Sequence, residues 1–377
     1  MKSPVVSFVI PCYKLAHLLP ECVNSILAQT YPDIEVLIMD DCSPDNTPEV
    51  ARSFKDPRVR HIRNDPNLGH LANYNKGIKL ARGKYVWLVS ADDFMGQPYV
   101  VQRYVELLEE HPEVGYAFCP GVGTGSAPHT DMQQWVLRGQ AVFGSQDRII
   151  PGQRLVESLL GGNAIVAASG LVRRECYEKV TYFPLNMPWA GDWYLWCAFA
   201  LFYDVAYFAE PMVCYREHDL SMTASVMQQR LEACAAEEIE ILWSLHGIAA
   251  KRGFSDLAEK SLGAIADHYF QSLSGRRGKP PKPCLTLEQF EQSVRRSAPG
   301  VVERKRVCSQ VWARMADHCY SQTDLVSARQ LYAQALGADP WMLRTWVKRL
   351  LLASGPLGKV VRRGLKGVSG PAPDTKP

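Results

Sequence analysis

The sequence predicts an α/β domain with a mostly parallel sheet over residues 1–225, followed by an all-helical region over residues 226–377. In the first third, short β-rich runs alternate with helical stretches, which is typical of a parallel sheet with right-handed crossovers. Beyond about residue 225 the pattern is almost entirely helical. The length of 377 residues also exceeds the usual size of one domain.

The elements of the first part follow from hydrophobic patterning. Five apolar runs predict strands: VVSFVI, IEVLIMD, VRHIRN, KYVWLVS and VGYAFCP. Four stretches between them predict helices: LLPECVNSILAQT, TPEVARSF, LANYNKGIKLA and PYVVQRYVELLEEH. Thr47 is the expected N-cap of the second helix, because Pro48 and Glu49 follow it.

The later segments are less regular. PGVGTGSAPHT predicts an exposed loop, and periodic structure returns with PGQRLVESLL, ASGLVRRECYEKV and GDWYLWCAFALFY, followed by the apolar runs VAYFA and MVCYREH. In the helical region, ARQLYAQALGADP has the spacing of one tetratricopeptide helix. Because it occurs once and a solenoid needs about three units, we do not expect a repeat protein.

Composition excludes several classes of protein. With 47% hydrophobic and 21% charged residues, the chain is typical of a soluble globular protein, and we expect neither a secretory signal nor a membrane span. Eleven cysteines without a CxxC pair argue against a disulfide framework and predict a cytoplasmic location. The net charge of +3 combines a basic segment after Trp341 with a slightly acidic remainder, which argues against nucleic-acid binding.

Two predicted strands end in paired carboxylates, Asp40-Asp41 and Asp92-Asp93. Ligands of open parallel sheets bind beyond the carboxyl ends of the strands, so these side chains are expected to meet at one edge. A Mg²⁺ or Mn²⁺ ion with a nucleotide diphosphate would neutralise them, and helix capping is the simpler alternative. Neither G-x-G-x-x-G nor a Walker A motif is present, which argues against NAD enzymes and P-loop kinases.

The motifs together resemble a known family. SFVIPCYK, LLPECVNSILAQTYPDIEVLIMDDCSPDNT, NLGHLANYNKGIKLARGKYVWLVSADD and PWAGDWYLW occur in the order found in inverting family 2 glycosyltransferases of the GT-A fold. The resemblance covers approximately residues 3–220 and leaves the helical region unmatched. It implies a nucleotide-diphospho-sugar transferase fold with a Rossmann-like, mostly parallel sheet, and a nucleotide-sugar donor that is most often a UDP-sugar.

The resemblance also implies roles for the strand-end residues. Pro11 and Tyr13 are expected to line the uracil and ribose, with Tyr13 offering a stacking face. Asp41 is expected to accept a hydrogen bond from the uracil ring NH. Asp93 is the expected metal ligand, and Asp92 is expected nearer the ribose.

Further residues match the family outside these strand ends. Asp192 in AGDWYLW is the expected general base, with helix capping as the alternative. His218 resembles a histidine that meets the metal or diphosphate, and Arg216 is a candidate partner for the diphosphate. Asn67 and Gly69 fit the family's N-x-G loop. An arginine that some relatives carry in the following helix is missing here.

One further segment matches the family in position only, on the side that would bind the acceptor. ASGLVRRECYEKV matches the position of the family's acceptor segment, so Ser169 and Arg173 are candidates to contact a sugar.

The predicted function is therefore that of an inverting, metal-dependent enzyme that uses Mn²⁺ or Mg²⁺. It would transfer a hexosyl or N-acetylhexosaminyl group to an acceptor hydroxyl in polysaccharide, glycolipid or other glycoconjugate biosynthesis. A non-catalytic nucleotide-sugar-binding scaffold is one alternative. A metal-dependent nucleotidyltransferase is another, although PCYKLAHLLP has no glycine for the expected loop. The sequence leaves open whether the protein forms a homodimer.

The basic C-terminal segment has two interpretations. PWMLRTWVKRLLLASGPLGKVVRRGLKG combines tryptophans, leucines and cations, which favours peripheral contact with the inner face of a membrane, where a lipid-linked acceptor would be found. The alternative is that WMLRTWVKRLLLAS packs on the helical region and that GVSGPAPDTKP is disordered.

Overall fold

A computed structural model describes most of the chain, namely residues 3–124, 139–216, 218, 231–275 and 283–353. The chain divides into two compact units, Met1–Arg230 and Leu231–Pro377. The division lies a few residues after the boundary placed at 225/226 from the sequence.

The first unit is built on a central eight-stranded sheet and a small three-stranded sheet. Their strands are β1 (Val6–Cys12), β2 (Ile34–Asp40), β3 (Val59–Arg63), β4 (Tyr85–Leu88), β5 (Phe94–Met95), β6 (Val114–Phe118), β7 (Gly121–Thr124), β8 (Arg148–Ile150), β9 (Leu171–Arg173), β10 (Asp204–Tyr207) and β11 (Val213–Arg216). The central sheet has the order β3-β2-β1-β4-β9-β6-β10-β8, and the small sheet has the order β5-β11-β7.

Helices cover the central sheet and continue through the second unit. In the first unit they are α1 (Leu19–Leu27), α2 (Thr47–Ser53), α3 (His70–Leu80), α4 (Val100–Glu110), α5 (Gly152–Leu159), α6 (Arg174–Lys179) and α7 (Gly191–Ala200), with a 3₁₀ turn at Ala167–Ser169. In the second unit they are α8 (Leu231–Lys251), α9 (Ser255–Ser274), α10 (Leu287–Ser297), α11 (Val301–Ser321), α12 (Leu325–Ala338) and α13 (Leu343–Ala353).

The mostly parallel sheet predicted from the sequence is confirmed, with two antiparallel strands added. Strand β1 pairs in parallel with β2 and β4. Strand β9 lies antiparallel between β4 and β6, and β8 forms an antiparallel edge on β10. Because the strand order reverses at β1, the ligand crevice of this topology lies beyond the carboxyl end of β1.

An aromatic stack fixes the centre of the sheet. The Trp87 ring lies 5.5 Å from Phe8 and 4.8 Å from Tyr104, and Tyr104 lies 4.6 Å from Phe208, measured between ring centroids. The Trp87 indole also donates a hydrogen bond to the carbonyl of Ala168 at 2.8 Å. Burial of these rings stabilises the strands whose ends carry the polar residues.

The second unit is a helical assembly with its own core. Tyr269, Phe290 and Trp312 join α9, α10 and α11 through edge-to-face contacts at 4.9 and 5.3 Å. Thr286 and Gln289 form a capping box that begins α10. None of the helices within the described ranges has both the length and the hydropathy that crossing a bilayer requires.

Candidate active site

Two acidic segments lie on either side of the end of β1. The backbone NH of Asp41 donates to the carbonyl of Cys12 at 2.9 Å, and the NH of Ala91 donates to the carbonyl of Pro11 at 3.1 Å. The parallel register of β1 with β2 and β4 therefore delivers both segments to one edge of the sheet, as the sequence predicted.

The small sheet holds the Asp92-Asp93 pair. Cys214 of β11 pairs with Phe94 of β5, so the residues after β11 run beside the acidic pair. The backbone NH of Arg216 donates to Asp93 Oδ1 at 2.9 Å, and His218 Nε2 lies 3.0 Å from Asp92 Oδ2. The two carboxylates thus face different partners, and the turn between β4 and β5, closed by the bond from Asp93 NH to the Ser90 carbonyl at 3.0 Å, presents them.

Arg216 is engaged by protein groups as well. Its Nε donates to the carbonyl of Asp92 at 3.1 Å, and its Nη2 donates to Glu21 Oε2 at 2.5 Å. Arg216 therefore orders the acidic segment in this structure. Its predicted contact with a diphosphate stays a prediction.

The acidic pair has the electrostatics of a cation site. Burial, and next the charge of Asp92, raise the pKa of Asp93 well above its usual range, against the opposing effect of Arg216. Asp92 Oδ1 is buried and has no hydrogen-bond partner among the described residues. A bound cation would satisfy that oxygen and favour ionised Asp93, so these residues fit a divalent metal.

The described side chains do not by themselves form a complete set of metal ligands. Within the described ranges, no group of three or more His, Cys, Asp or Glu side chains is arranged to hold a metal ion. His218 lies against Asp92 while Asp93 contacts Arg216, so the two predicted ligands have different partners. A metal held here would need ligands from water or from a bound diphosphate, as is usual for Mg²⁺.

Asp41 organises the loop that leads into α3. Its Oδ1 accepts from Asn64 Nδ2 and from the backbone NH of Leu68, both at 2.8 Å, and its Oδ2 accepts from the NH of Gly69 at 2.9 Å. Asn67 Nδ2 returns a hydrogen bond to the carbonyl of Asp41 at 2.6 Å. Gly69 has a φ of +81°, which glycine adopts without strain.

The structure therefore brings Asp41, Asn67 and Gly69 together, and gives Asp41 a positioning role that sequence reasoning missed. Tyr13 lies two residues after buried Pro11 and is 44% exposed, and Lys14 Nζ lies over its ring at 5.0 Å from the centroid. The nucleotide contacts assigned to these residues stay predictions.

Asp192 has the environment expected of a general base. It lies in the first turn of α7, where Asn163 Nδ2 donates to Oδ2 at 2.9 Å and the NH of Trp193 donates to Oδ1 at 2.8 Å. Burial raises the pKa of Asp192 to about 6, against the lowering effect of these two hydrogen bonds.

Helix α3 connects the two acidic regions. His70 lies within hydrogen-bond distance of the Pro188 carbonyl, 3.1 Å from Nε2, and Asn75 exchanges two hydrogen bonds with the backbone of Phe183. These contacts hold the segment that leads to Asp192. Tyr74 lies between them on the same helix, and the charges of Asp92, Asp192 and Asp93 act on its hydroxyl after burial to raise its pKa.

The charges of Asp92, Asp93 and Asp192 thus all act on Tyr74 of α3. The charge of Asp41 acts on His70 of the same helix. Sequence reasoning missed Tyr74 and Asn163, since a tyrosine in a helix and an asparagine in a loop have no pattern of their own.

Ser169 and Arg173 do not form an acceptor surface, and this prediction is wrong. Ser169 is fully buried and its hydroxyl donates to the carbonyl of Val166 at 2.7 Å. Arg173 is 6% exposed, and its guanidinium donates to carbonyls of Val114, Leu108 and His111. An arginine surrounded by carbonyl groups supports the sheet from within and leaves no face for a sugar.

Comparison with known proteins identifies the family that the first unit matches. The family model described as "Glycosyl transferase family 2" matches residues 7–179, which include the end of β1 and the acidic pair. These residues form a family 2 glycosyltransferase region. The match agrees with the resemblance seen in the sequence, and the second unit lies outside it.

Curated relatives agree with this family. An uncharacterized glycosyltransferase of Rickettsia typhi is 27% identical over 244 residues, which are 64% of this chain and 71% of the relative. Glycosyltransferase GlyG of Streptococcus pneumoniae serotype 4 is 35% identical over 114 residues, which are 30% of this chain and 38% of the relative. The match to GlyG is thus confined to a minor part of both proteins.

A solved structure shows the same fold. The crystal structure of S. aureus TarS 1-349 in complex with UDP-GlcNAc has a TM-score of 0.60 and 17% identity, and covers 86% of this chain and 90% of that one. At this level of identity the likeness establishes the fold alone, and the GT-A architecture predicted from the sequence is confirmed.

The raised pKa of Asp192 predicts a pH-dependent effect on stability. A carboxyl that is harder to ionise when folded loses stability as pH rises from about 4 through about 6. Asp192→Asn should therefore raise the free energy of unfolding by about 1–2 kcal/mol at about pH 8, after a discount for partial exposure, with no difference near pH 4. Urea unfolding followed by tryptophan fluorescence across this pH range measures the effect.

Asp56 offers a control of opposite sign. Its hydrogen bonds to Arg58 hold its pKa below the usual range, so Asp56→Asn should destabilise the protein at neutral pH and lose that effect in acid. A destabilising Asp192→Asn at about pH 8 would contradict the assigned environment.

Proposed function

We propose that the enzyme transfers a sugar from a UDP-sugar to an acceptor hydroxyl with inversion at the anomeric carbon. The observation that carries the proposal is Asp192, a carboxyl in the first turn of α7 whose pKa burial raises to about 6, on the same unit as the Asp92-Asp93 pair at the end of the parallel sheet. A general base works best when its pKa lies near the operating pH. A scaffold would not need such a base.

The residues divide the reaction between donor and acceptor sides. Tyr13 and Asp41 flank the end of β1 and would hold the uridine, and Asn67 and Gly69 keep Asp41 in place. Asp192 would take the proton from the acceptor oxygen as that oxygen attacks the anomeric carbon from the face opposite UDP. The new glycosidic bond forms as the bond to the diphosphate breaks, which inverts the configuration.

The acidic pair would serve the leaving group. Asp93 and His218 are the proposed ligands of Mn²⁺ or Mg²⁺, with Asp92 Oδ1 directed to the same cation or to the ribose. When bound, such a metal offsets the negative charge of the departing diphosphate. Arg216 keeps Asp92 and Asp93 in register through its backbone and guanidinium hydrogen bonds.

We further propose that the transferred group is a hexosyl or N-acetylhexosaminyl unit, and that the acceptor belongs to a polysaccharide, a glycolipid or another glycoconjugate. These substrates fit a site that has carboxylates for a metal and a single base for a hydroxyl nucleophile. The match to family 2 supports transfer of a glycosyl group over transfer of a nucleotidyl group, which a nucleotidyltransferase would perform.

The second unit presents a surface suited to a membrane. Large apolar side chains are exposed along α13 and just before it, with Trp341 91%, Leu343 74% and Leu350 62% exposed. Thr345 and Leu352 on the opposite side of the helix are buried. Helix α13 therefore packs on its own unit and also leaves an apolar stripe open, so it has features of both interpretations of the sequence.

Basic residues flank this stripe. Arg344 is exposed, Lys348 lies beside it and pairs with Asp317 at 2.6 Å, and Arg349 stacks on Trp346 with 5.7 Å between the guanidinium carbon and the ring centroid. Apolar residues between cations suit the boundary between acyl chains and anionic headgroups. We propose that this stripe binds the inner face of a membrane, near lipid-linked acceptors. Residues 354–377, which continue the basic segment, lie outside the described residues.

Replacing the base should remove turnover and leave nucleotide binding intact. We expect Asp192→Asn to lower UDP release from a panel of UDP-sugars by about 100- to 10,000-fold, with an unchanged Kd for UDP by calorimetry. In the wild type, kcat/KM should fall about tenfold per pH unit below about pH 6. Parallel loss of UDP affinity would contradict the role of a base, and no turnover in the wild type would contradict the enzyme.

Metal binding should depend on Asp93. We expect UDP with Mn²⁺ to raise the Tm by about 5–10 °C when both are present at about 100 times their Kd. Asp93→Asn should abolish the part of the shift that needs Mn²⁺. Asp147→Asn, which removes a carboxylate paired with Arg103, should leave it unchanged. A full Mn²⁺-dependent shift in Asp93→Asn would exclude this metal site.

Membrane binding should depend on the apolar stripe. In sedimentation with phosphatidylcholine vesicles, the full chain should pellet only when anionic phosphatidylglycerol is included, and less at high salt. The double variant Leu343→Glu, Leu350→Glu should stay in the supernatant. Val326→Glu is the matched control, because Val326 is 71% exposed on α12.

Two outcomes would contradict the membrane surface. One is equal pelleting of the double variant and the control. The other is pelleting without lipid that the double variant abolishes, which would assign the stripe to self-association, such as a homodimer.

A further inference from the structure

A buried chain of hydrogen bonds leads from a lysine on α3 to Asp41. Lys76 Nζ donates to Asn64 Oδ1 at 2.6 Å. Asn64 Nδ2 donates in turn to Asp41 Oδ1 and to Asn73 Oδ1, both at 2.8 Å. Asn64 and Asn73 are 1% exposed and Asp41 is 3% exposed. Hydrogen bonds in such a buried network strengthen one another and fix the side chains that take part.

Lys76 directs its charge to an amide. Among the described residues it has no carboxylate partner, and its ammonium donates to the amide oxygen of Asn64. Because an ammonium group has donors only, it requires that oxygen and so assigns the amide nitrogen to Asp41 and Asn73. The charge also polarises the amide, which makes the N–H group that faces Asp41 a stronger donor. Lys76 therefore acts on Asp41 through Asn64.

The partners of Asp41 limit what this carboxylate can offer to a ligand. Within the described part of the chain, Oδ1 accepts from Asn64 and Leu68, and Oδ2 accepts from Gly69. A carboxylate has about four lone-pair positions, so one acceptor position is left, on Oδ2. With so little of Asp41 exposed, the donors around it set where that acceptor lies.

A single fixed acceptor distinguishes between nucleotide bases. Uracil has a ring N–H between its two carbonyl groups, and this N–H can donate to a carboxylate. Cytosine has an unprotonated ring nitrogen at the same place, which is itself an acceptor and would face the carboxylate unpaired. Sites built to hydrogen-bond one group reject analogues that lack it. A well-held Asp41 should therefore prefer UDP to CDP, two ligands with the same ribose and diphosphate.

We propose that Asn64 and Lys76 are positioning residues that hold Asp41 for a base with a ring N–H, and thereby select a uridine donor over a cytidine donor. The inference rests on the proposed UDP-sugar and on the proposed contact of Asp41 with the base. Asn64 directly follows β3, and Lys76 lies on α3. If these residues only joined the helix to the sheet, they would stabilise the fold without affecting the preference between bases.

The ratio of the Kd values for CDP and UDP tests this role, measured by calorimetry on the full chain with Mn²⁺. The wild type should bind UDP at least about tenfold more tightly than CDP. Lys76→Met keeps the aliphatic stem and removes the ammonium. It should weaken UDP binding by about 3- to 30-fold and CDP binding by less than about twofold.

Lys79→Met is the matched control. Lys79 lies on the same helix, but its ammonium lies over the Tyr182 ring, 5.1 Å from the centroid. Its removal should leave both Kd values unchanged.

Two further variants separate positioning from packing. Asn64→Asp keeps an acceptor for Lys76 but places an acceptor in front of Asp41, so the CDP/UDP ratio should fall at least as far as in Lys76→Met. In an Asp41→Asn background, Lys76→Met should change UDP affinity by less than about twofold, because its effect passes through the lost carboxylate.

Four results would overturn the proposal. They are equal binding of UDP and CDP by the wild type, an unchanged ratio in Lys76→Met, equal losses of both nucleotides, and a Lys76→Met effect that persists at full size in Asp41→Asn. If thermal unfolding shows Lys76→Met to be unfolded at the assay temperature, an unchanged ratio in Asn64→Asp overturns it. A wild type that prefers UDP but releases it from no UDP-sugar, even with sugar acceptors added, would instead remove the proposed transfer and leave this inference standing.

Discussion

Two adjacent carboxylates held at the end of a buried strand are the constraint on which the site depends. The hydrogen bonds of β1 to Asp41 and Ala91 and the packing of Trp87 fix where the acidic segments emerge. Asp93 is buried and one oxygen of Asp92 has no partner within the described part of the chain, so the fold maintains an unfavourable concentration of acidic groups. A protein tolerates such a cost where a ligand of opposite charge relieves it.

The small sheet and α3 connect the acidic segments to distant parts of the same unit. Arg216 at the end of β11 and His218 two residues later contact the acidic pair, although they come more than a hundred residues later in the chain. Helix α3 begins at the loop held by Asp41, and its His70 and Asn75 contact Pro188 and Phe183 in the segment that leads to Asp192. One helix therefore contacts both the loop of Asp41 and the segment that leads to Asp192, the proposed donor and acceptor sides.

The sequence predicts the repetitive part of this architecture well. Strands β1 to β4 and β6 lie within the five runs that were predicted as strands between helical segments, and the carboxyl ends of two of these runs identified Asp41, Asp92 and Asp93 without coordinates. Asp192 stood out as an acid before an apolar helix. Strands β5, β7, β9 and β11 have two to four residues each, too few for a period to show, so the small sheet and the antiparallel insertion were not predicted.

The remaining differences have one distant and one local cause. Arg173 was expected to contact a sugar, yet the carbonyl groups of Val114, Leu108 and His111 enclose it, and these partners are set by the folding of distant segments, which no local pattern records. The expected N-cap Thr47 is instead the first residue of α2, after Asn46, and its hydroxyl donates to Asp45, a local alternative to capping.

The antiparallel strand β9 has a consequence for synthesis on the ribosome. Strand β6 is buried on all sides in the finished sheet, and both of its neighbours, β9 and β10, come later in the chain. About 50 residues separate the end of β6 from the start of β9, which at about 5–20 residues per second is a delay of several seconds. During that interval a nascent chain carries an apolar strand whose edges have no partner, and chaperone binding at this stage would protect it from aggregation.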